Sequence, residues 1–203
     1  MGRLNSGALP VPVSLVSTQT IGAILGDKAL QEGVQAAVIG FILVVSYLIL
    51  WYRLPGLIAS LALCLFVVII LTLFKLLPVT LTATGIAGFI ISIGIAVDAN
   101  VLIFERVKEE LRSGKNTIEA VSLGFTRAWL AIRDSSISNI LTALILFYFG
   151  TSLIKGFALT LGMGVVVSLF SAITVTRMFL SFTVVLLREG KVARFLFSSG
   201  FSK

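Results

Sequence analysis

The sequence predicts an all-α membrane protein built as a bundle of five transmembrane helices, and three observations support this fold class. Hydrophobic residues make up 58% of the 203-residue chain and charged residues only 12%, about half the charged share of a typical soluble domain. The apolar residues gather into five runs, and a helix needs about 20 such residues to cross the hydrocarbon core of a bilayer. The basic residues lie mainly between these runs, where they orient helices in a membrane.

The five runs define a membrane domain over residues 33–187, followed by a basic cytoplasmic tail over 188–203. The expected spans are 33–52, 57–76, 81–104, 136–149 and 156–187. The sequence RLPG between the first two spans predicts a tight turn. The fifth run is too long to lie wholly in lipid, so we expect its last third to emerge or tilt.

The segment between the third and fourth spans, residues 105–134, is expected to form a cytoplasmic amphipathic hairpin of two short helices. Apolar residues recur there at helical spacing, and Ser113-Gly114 interrupts the pattern. The apolar set is Ile118, Val121, Phe125, Trp129 and Ile132. The acidic residues Glu105, Glu109 and Glu110 alternate with basic ones at helical spacing, which is typical of a solvated face.

The distribution of basic residues predicts the orientation of the chain. Residues 105–134 carry six lysines and arginines, whereas Lys75 and Lys155 are the basic residues of the opposite loops. The positive-inside rule therefore places the hairpin and the C-terminus in the cytoplasm and the N-terminus outside.

Residues 1–32 are expected to be an extracytoplasmic segment. Apolar and polar residues alternate from Val11 to Val16, as in a β-strand. The segment lacks the basic start and apolar core of a cleavable signal peptide. We therefore expect a short strand remnant of a larger extracytoplasmic domain, and a chain that is the C-terminal part of a longer protein.

The residue inventory argues against several function classes. The chain has no histidine and a single cysteine, Cys64, which lies in an apolar run, so the usual general base and the usual metal ligands are missing. An intramembrane aspartyl protease needs two embedded carboxylates, and Asp98 is the only aspartate within the apolar runs. We therefore expect no enzyme, no metal site and no organic cofactor. The basic residues form no patch on a soluble domain, so no nucleic-acid partner is expected.

The stretch GIAVDANVLIF, residues 94–104, places the carboxylate of Asp98 in an otherwise apolar helical run. An ionisable side chain at membrane depth is costly and is a functional-site candidate by default. Helical offsets put Asp98 on one face with Gly94 and Glu105. We expect this face to contact neighbouring helices of the bundle instead of lipid.

Arg177 and Asn139, on the fifth and fourth spans, are candidate partners of Asp98. All three residues are expected in the cytoplasmic half of the membrane, where they would form a proton-coupling site. A buried carboxylate beside a movable cation can take up and release a proton as helices shift. Alternatively, Asp98 is permanently paired with Arg177, or permanently protonated and bonded to Asn139, and only sets the helix register. Arg177 could also simply extend to the interface.

Small residues repeat along the third and fifth spans and are expected to pack these helices. In lipid, small side chains let helix backbones approach closely. The expected packing residues are Gly88, Ser92, Gly94, Ala96, Asn100, Gly164 and Ser168.

Residues 94–115, GIAVDANVLIFERVKEELRSGK, closely resemble the signature of the SecD family of the bacterial Sec protein-export machinery. SGALPVPV (6–13), YRLPGLIA (52–59) and residues 146–177 are similar to further parts of that family. The resemblance implies a membrane domain of the resistance-nodulation-division type. It also implies that Asp98 is the proton-site aspartate, with Arg177 and Asn139 at the family's arginine and polar positions on the last two helices.

The same resemblance implies a function. A subunit of this type uses the proton gradient, in the bacterial cytoplasmic membrane, to assist preprotein export through the SecYEG channel after insertion driven by SecA. Its implied partners are SecF, SecYEG, SecA and YajC. Two alternatives stay open: a structural scaffold of the translocon, and a small-molecule exporter of the same superfamily.

Overall fold

The computed structural model describes residues 23–186, and every regular element in this range is helical. The elements are α1 (Ala23–Tyr52), α2 (Leu54–Leu76), α3 (Ala83–Arg112), α4 (Thr117–Phe149), α5 (Ser152–Phe170), a π-helical segment (Ser171–Thr176) and α6 (Arg177–Leu186). The last three elements follow one another without a break. The described residues thus form five helices that are long and apolar enough to cross a membrane, which confirms the predicted fold class. The expected strand remnant and basic tail lie outside the described residues.

The turn between α1 and α2 is as tight as the RLPG sequence predicts. Arg53 alone separates the two helices and has a positive φ of 51°. Pro55 follows in the first turn of α2, where its missing N–H breaks no helical hydrogen bond. A Cβ atom on Gly56 would lie 1.9 Å from the carbonyl oxygen of Leu48, so only glycine allows the chain to fold back this closely.

The hairpin differs from the prediction in one respect, because its arms are not separate short helices. Residues 105–112 continue α3, and α4 begins at Thr117 and runs on through the membrane. Gly114 turns the chain with a φ of 88°, and the side chain of Asn116 caps α4 by accepting a hydrogen bond of 2.8 Å from the backbone N–H of Glu119. The apolar run ends at Glu105, but the helix does not: the backbone hydrogen bonds of α3 continue to Arg112.

Helix α3 lies at the centre of the bundle and makes its most extensive contacts with α5 and α4. A Cβ atom on Gly88 would lie 2.4 Å from Thr160 Oγ1 and 2.6 Å from the carbonyl oxygen of Phe157. On the facing helix, a Cβ atom on Gly164 would lie 2.2 Å from Ser92 Cβ. Glycines on both helices thus bring the backbones of α3 and α5 into direct contact.

The outer surface of the bundle is as apolar as its interior. Leu50 and Phe149 are each 79% exposed, and many other large apolar side chains also point outward. Helix α1 is covered least by the other helices, since only 6% of its most apolar 18-residue stretch is buried inside the bundle. An apolar exterior of this kind suits a bilayer, in which lipid tails replace water as the solvent.

The π-helical segment is tied to its neighbours by buried hydrogen bonds. Thr176 Oγ1 donates to Asn100 Oδ1 at 2.7 Å, and Asn100 Nδ2 donates to the carbonyl oxygen of Ala96 at 3.1 Å. Ser171 Oγ donates to the carbonyl oxygen of Ala62 on α2 at 3.4 Å. Thr176 is fully buried and Asn100 is 3% exposed, so these bonds satisfy polar groups that have no access to water.

We expect Gly164→Val to destabilise the bundle, because the new side chain would overlap Ser92 on α3. Overpacking of this kind costs about 1–3 kcal/mol. The midpoint of detergent-induced unfolding of the purified full-length protein measures the effect. Gly40→Val on α1 is the control, since a Cβ atom there meets no atom within 4 Å. Equal midpoints for the two variants would contradict the close α3–α5 contact.

We expect Thr176→Val to lower stability by about 1–2 kcal/mol, because it keeps the shape of the side chain and leaves Asn100 Oδ1 buried without its donor. Thr174→Val is the matched control, since Thr174 is exposed in the same π-helical segment. The same unfolding assay compares the two. A loss no larger than that of the control would show that the buried bond does not stabilise the protein.

Candidate proton-coupling site

Asp98 lies on the outer face of α3, which corrects the prediction that it faces the other helices of the bundle. Ala96 and Asn100 are buried, whereas Asp98 is exposed. Two residues correspond to about 200° around a helix. Asp98 therefore points to the side of α3 opposite Ala96 and Asn100, which are packed against the bundle. The periodicity correctly separated Asp98 from the small-residue stripe but assigned its face to the interior.

Gly94, which was expected at a helix contact, shares this outer face. A Cβ atom on Gly94 would meet no atom within 4 Å, and Ile91 beside it is 49% exposed. We call the exposed strip formed by Ile91, Gly94 and Asp98 the outer face of α3. The other expected packing residues on α3 are buried instead: Gly88, Ser92, Ala96 and Asn100. On α5, Gly164 and Ser168 are buried as well.

The three residues expected to form the proton site do not meet in this structure. Asn139 is half-buried on α4, and Arg177 is exposed where the π-helical segment passes into α6. Among the described residues, no hydrogen bond or ion pair joins any two of Asp98, Asn139 and Arg177. A direct partner for Asp98 is therefore not found among the residues that the sequence singled out.

The depth of Asp98 places its carboxylate within the hydrocarbon core. It lies fifteen residues after Ala83, the first residue of α3, which corresponds to about 22 Å of helix against a core of about 30 Å. A charged side chain facing lipid costs about 3 kcal/mol at the centre of the core on insertion scales and more in some calculations. Contact with lipid is therefore unfavourable for the ionised carboxylate of Asp98 on the outer face of α3.

At the end nearer the hairpin, the outer face of α3 is bounded by a polar contact with α1. Glu105 lies seven residues after Asp98 and so on the same side of the helix. Tyr52 Oη donates to Glu105 Oε1 at 3.0 Å, and Lys108 Nζ lies 3.4 Å from Glu105 Oε2. The end of α1 is thus held to α3 below Asp98.

Glu110 is buried, which corrects the prediction of a solvated acidic face. Its side chain is 2% exposed between the two arms of the hairpin. Lys115 Nζ donates to Glu110 Oε2 at 2.5 Å, and Arg127 Nη1 lies 2.6 Å from Oε1. The hydrogen bond from Lys115 holds the pKa of the Glu110 carboxyl below its ordinary value; burial opposes this and Arg127 adds to it. The ion pairs of Glu110 with Lys115 and Arg127 therefore hold the end of α3 to the start of α4.

The buried pair Asn100–Thr176 is a feature that sequence reasoning missed. The sequence assigned Asn100 to close packing, and its amide instead accepts the hydrogen bond of Thr176 at the end of the π-helical segment. Such segments occur often at functional sites because one extra residue re-aims the side chains around them. The sequence did contain a signal for this pair. The amide of Asn100 and the hydroxyl of Thr176 each end a stripe of small residues, on the third and fifth spans.

The profile described as "Protein export membrane protein SecD/SecF, C-terminal" matches residues 7–185. The chain is 51% identical over 179 residues to the protein translocase subunit SecD of Thermobaculum terrenum, covering 86% of this chain and 35% of that protein. It is 49% identical over 175 residues to the protein translocase subunit SecD of Synechocystis, covering 86% of this chain and 37% of that protein.

Solved structures show the same fold. The crystal structure of SecDF from Thermus thermophilus, titled a translocon-associated membrane protein, superposes with a TM-score of 0.84 at 38% identity, over 98% of this chain and 27% of that one. A SecDF crystal structure in a super-membrane-facing form gives a TM-score of 0.78 at 40% identity, over 93% of this chain and 26% of that one. The chain thus spans little more than a third of the relatives quoted and about a quarter of these structures.

The profile match, the identity to SecD proteins and the shared arrangement of helices agree with the residues that resembled SecD in the sequence. The chain belongs to the SecD/SecF family of protein export membrane proteins and forms a C-terminal membrane domain of the SecD type.

Proposed function

We propose that this membrane domain works in a SecD translocase subunit that uses the proton gradient to assist preprotein export through the SecYEG channel after insertion driven by SecA. The observation that carries the proposal is the position of Asp98, an ionisable residue at membrane depth on the outer face of α3. The relatives are named protein translocase subunit SecD, which supports a protein as the transported cargo.

A second protein surface is needed to cover Asp98, and we propose that it belongs to SecF. Facing lipid, the carboxylate would have no partner, whereas a helix packed on the open strip at Gly94 would shield it and supply one. The solved relatives named SecDF support this assignment, because in them the matching helices are part of a much longer chain. SecYEG, SecA and YajC are proposed as further partners of the assembled subunit.

Proton uptake at Asp98 would change the contact that this second helix makes. The ionised carboxylate needs a cation or several hydrogen-bond donors, whereas the neutral acid can donate a hydrogen bond itself. One elementary charge moved across the whole membrane potential is worth about 2.3 kcal/mol per 100 mV, enough to shift a two-state equilibrium by a factor of roughly fifty. The proton gradient would be the energy source, with no cofactor.

Asn139 and Arg177 would assist Asp98 only in another arrangement of the helices. Arg177 directly follows the π-helical segment, and such a segment is a plausible point for a helix to change register because its hydrogen bonds are already irregular. In the proposed cycle the domain lies in the bacterial cytoplasmic membrane, with the hairpin of residues 105–134 on the cytoplasmic side.

We expect Asp98→Asn to abolish the stimulation of export by the proton gradient, because the amide keeps the size of the side chain but cannot carry the charge. The measurement is preprotein translocation into membrane vesicles that contain the full-length protein, with and without a proton gradient. Asp134→Asn is the control, since Asp134 is an exposed carboxylate paired with Arg133 at 2.9 Å. Gradient-dependent export that persists in Asp98→Asn would overturn the proton-site proposal and favour the scaffold.

We expect Gly94→Leu to weaken assembly with SecF at least severalfold while leaving the fold of this domain intact. The new side chain would fill the strip that a second helix needs, whereas its Cβ atom would meet no atom of its own bundle within 4 Å. Copurification of SecF with the tagged full-length variant measures assembly, and the unfolding midpoint checks the fold. Gly40→Leu on α1, which also has open space, is the control. Equal recovery of SecF with both variants would show that the outer face of α3 is not the contact.

A further inference from the structure

A small cavity opens between α3, α4 and the π-helical segment, away from the outer face of α3. Its volume is about 220 Å³. The buried part of its wall is apolar and includes Ile103, Ile132 and Ala172. The exposed part carries Thr126, Trp129 and Arg177. One cavity thus combines an apolar floor with a cationic and aromatic rim.

The rim lies at one edge of the hydrocarbon core. Trp129 is twenty residues before Phe149, the last residue of α4, and Arg177 is twenty-five residues after Ser152, the first residue of α5. At 1.5 Å per residue these separations are about 30 and 37 Å, against a core about 30 Å thick. The rim therefore lies at the level of the lipid phosphates, on the side that the basic residues assign to the cytoplasm.

Arg177, which lines the cavity, has no acidic partner among the described residues. Arg127 pairs with Glu110, and Arg133 pairs with Asp134. Among the residues that the structure describes, the side chains that line the cavity include no carboxylate. The guanidinium of Arg177 is therefore free to bind an anion, and the nearby Trp129 is of the residue type that favours the headgroup level of a membrane.

We propose that this cavity binds one anionic phospholipid of the cytoplasmic leaflet. The phosphate is held at Arg177, and the first part of one acyl chain lies on the floor formed by Ile103, Ile132 and Ala172. Basic pockets between transmembrane helices on the cytoplasmic side bind lipid headgroups in this way. The cavity is too small for a transmembrane helix, whose diameter with side chains is about 10 Å. The proposal does not depend on the role of Asp98.

Lipid binding to the full-length protein tests the proposal. The protein in detergent is titrated with palmitoyl-oleoyl phosphatidylglycerol or phosphatidylcholine, and bound lipid is counted by native mass spectrometry. We expect a preference for phosphatidylglycerol that falls about fivefold in Arg177→Gln, the loss expected for one interfacial cation. Arg177→Lys should retain most of the preference. Arg133→Gln, which removes a cation already paired with Asp134, should leave it unchanged.

Three further measurements distinguish the outcomes. Trp129→Ala should also weaken the preference, and the unfolding midpoint of each variant in zwitterionic detergent shows whether it is folded. Inorganic phosphate at millimolar concentration should not displace the lipid, because the acyl chain contributes to binding. Equal binding of both lipids, equal losses in Arg177→Gln and Arg133→Gln, or displacement by free phosphate would each overturn the proposal.

Discussion

The close contact between α3 and α5 is the constraint on which the rest of this membrane domain depends. Inside a bilayer, apolar side chains gain little by leaving lipid for another helix, so association relies on close packing and on interhelical hydrogen bonds. Gly88 on α3 and Gly164 on α5 provide that packing by removing the side chains that would hold the backbones apart. Since α4 also packs on α3, the rotation of α3 about its own axis decides where every polar group of the bundle points.

That rotation divides the polar residues of α3 into two sets with different chemistry. Asn100 turns inward and forms a buried hydrogen bond with Thr176, a neutral pair whose polar atoms are satisfied within the protein. Asp98 turns outward, and its carboxylate has no hydrogen bond or ion pair among the described residues. The inward set stabilises the bundle, whereas the outward carboxylate is available to a surface outside this domain. A neutral interior with an ionisable exterior is compatible with the proposed contact with a second protein.

The helix ends at the hairpin follow a different principle, because the charges there are paired with one another. Glu110 joins the arms of the hairpin through Lys115 and Arg127, and Glu105 joins α3 to Tyr52 on α1. Sequence reasoning placed Glu110 on a solvated face, since residues at helical spacing from it are basic. It could not show that α4 would return alongside α3 and cover that face, because this depends on the turn at Gly114.

The sequence by itself determined that five apolar helices cross a membrane, that RLPG forms a tight turn, and that small residues pack α3 against α5. These features follow from local properties: the length of an apolar run, the backbone freedom of glycine, and the angle between positions along one helix. Only the tertiary structure decided that Asp98 faces outward, that Asn100 bonds to Thr176, and that Arg177 lies apart from Asp98. Helical periodicity states which residues share a face, but which neighbour occupies that face depends on how helices distant in sequence pack together.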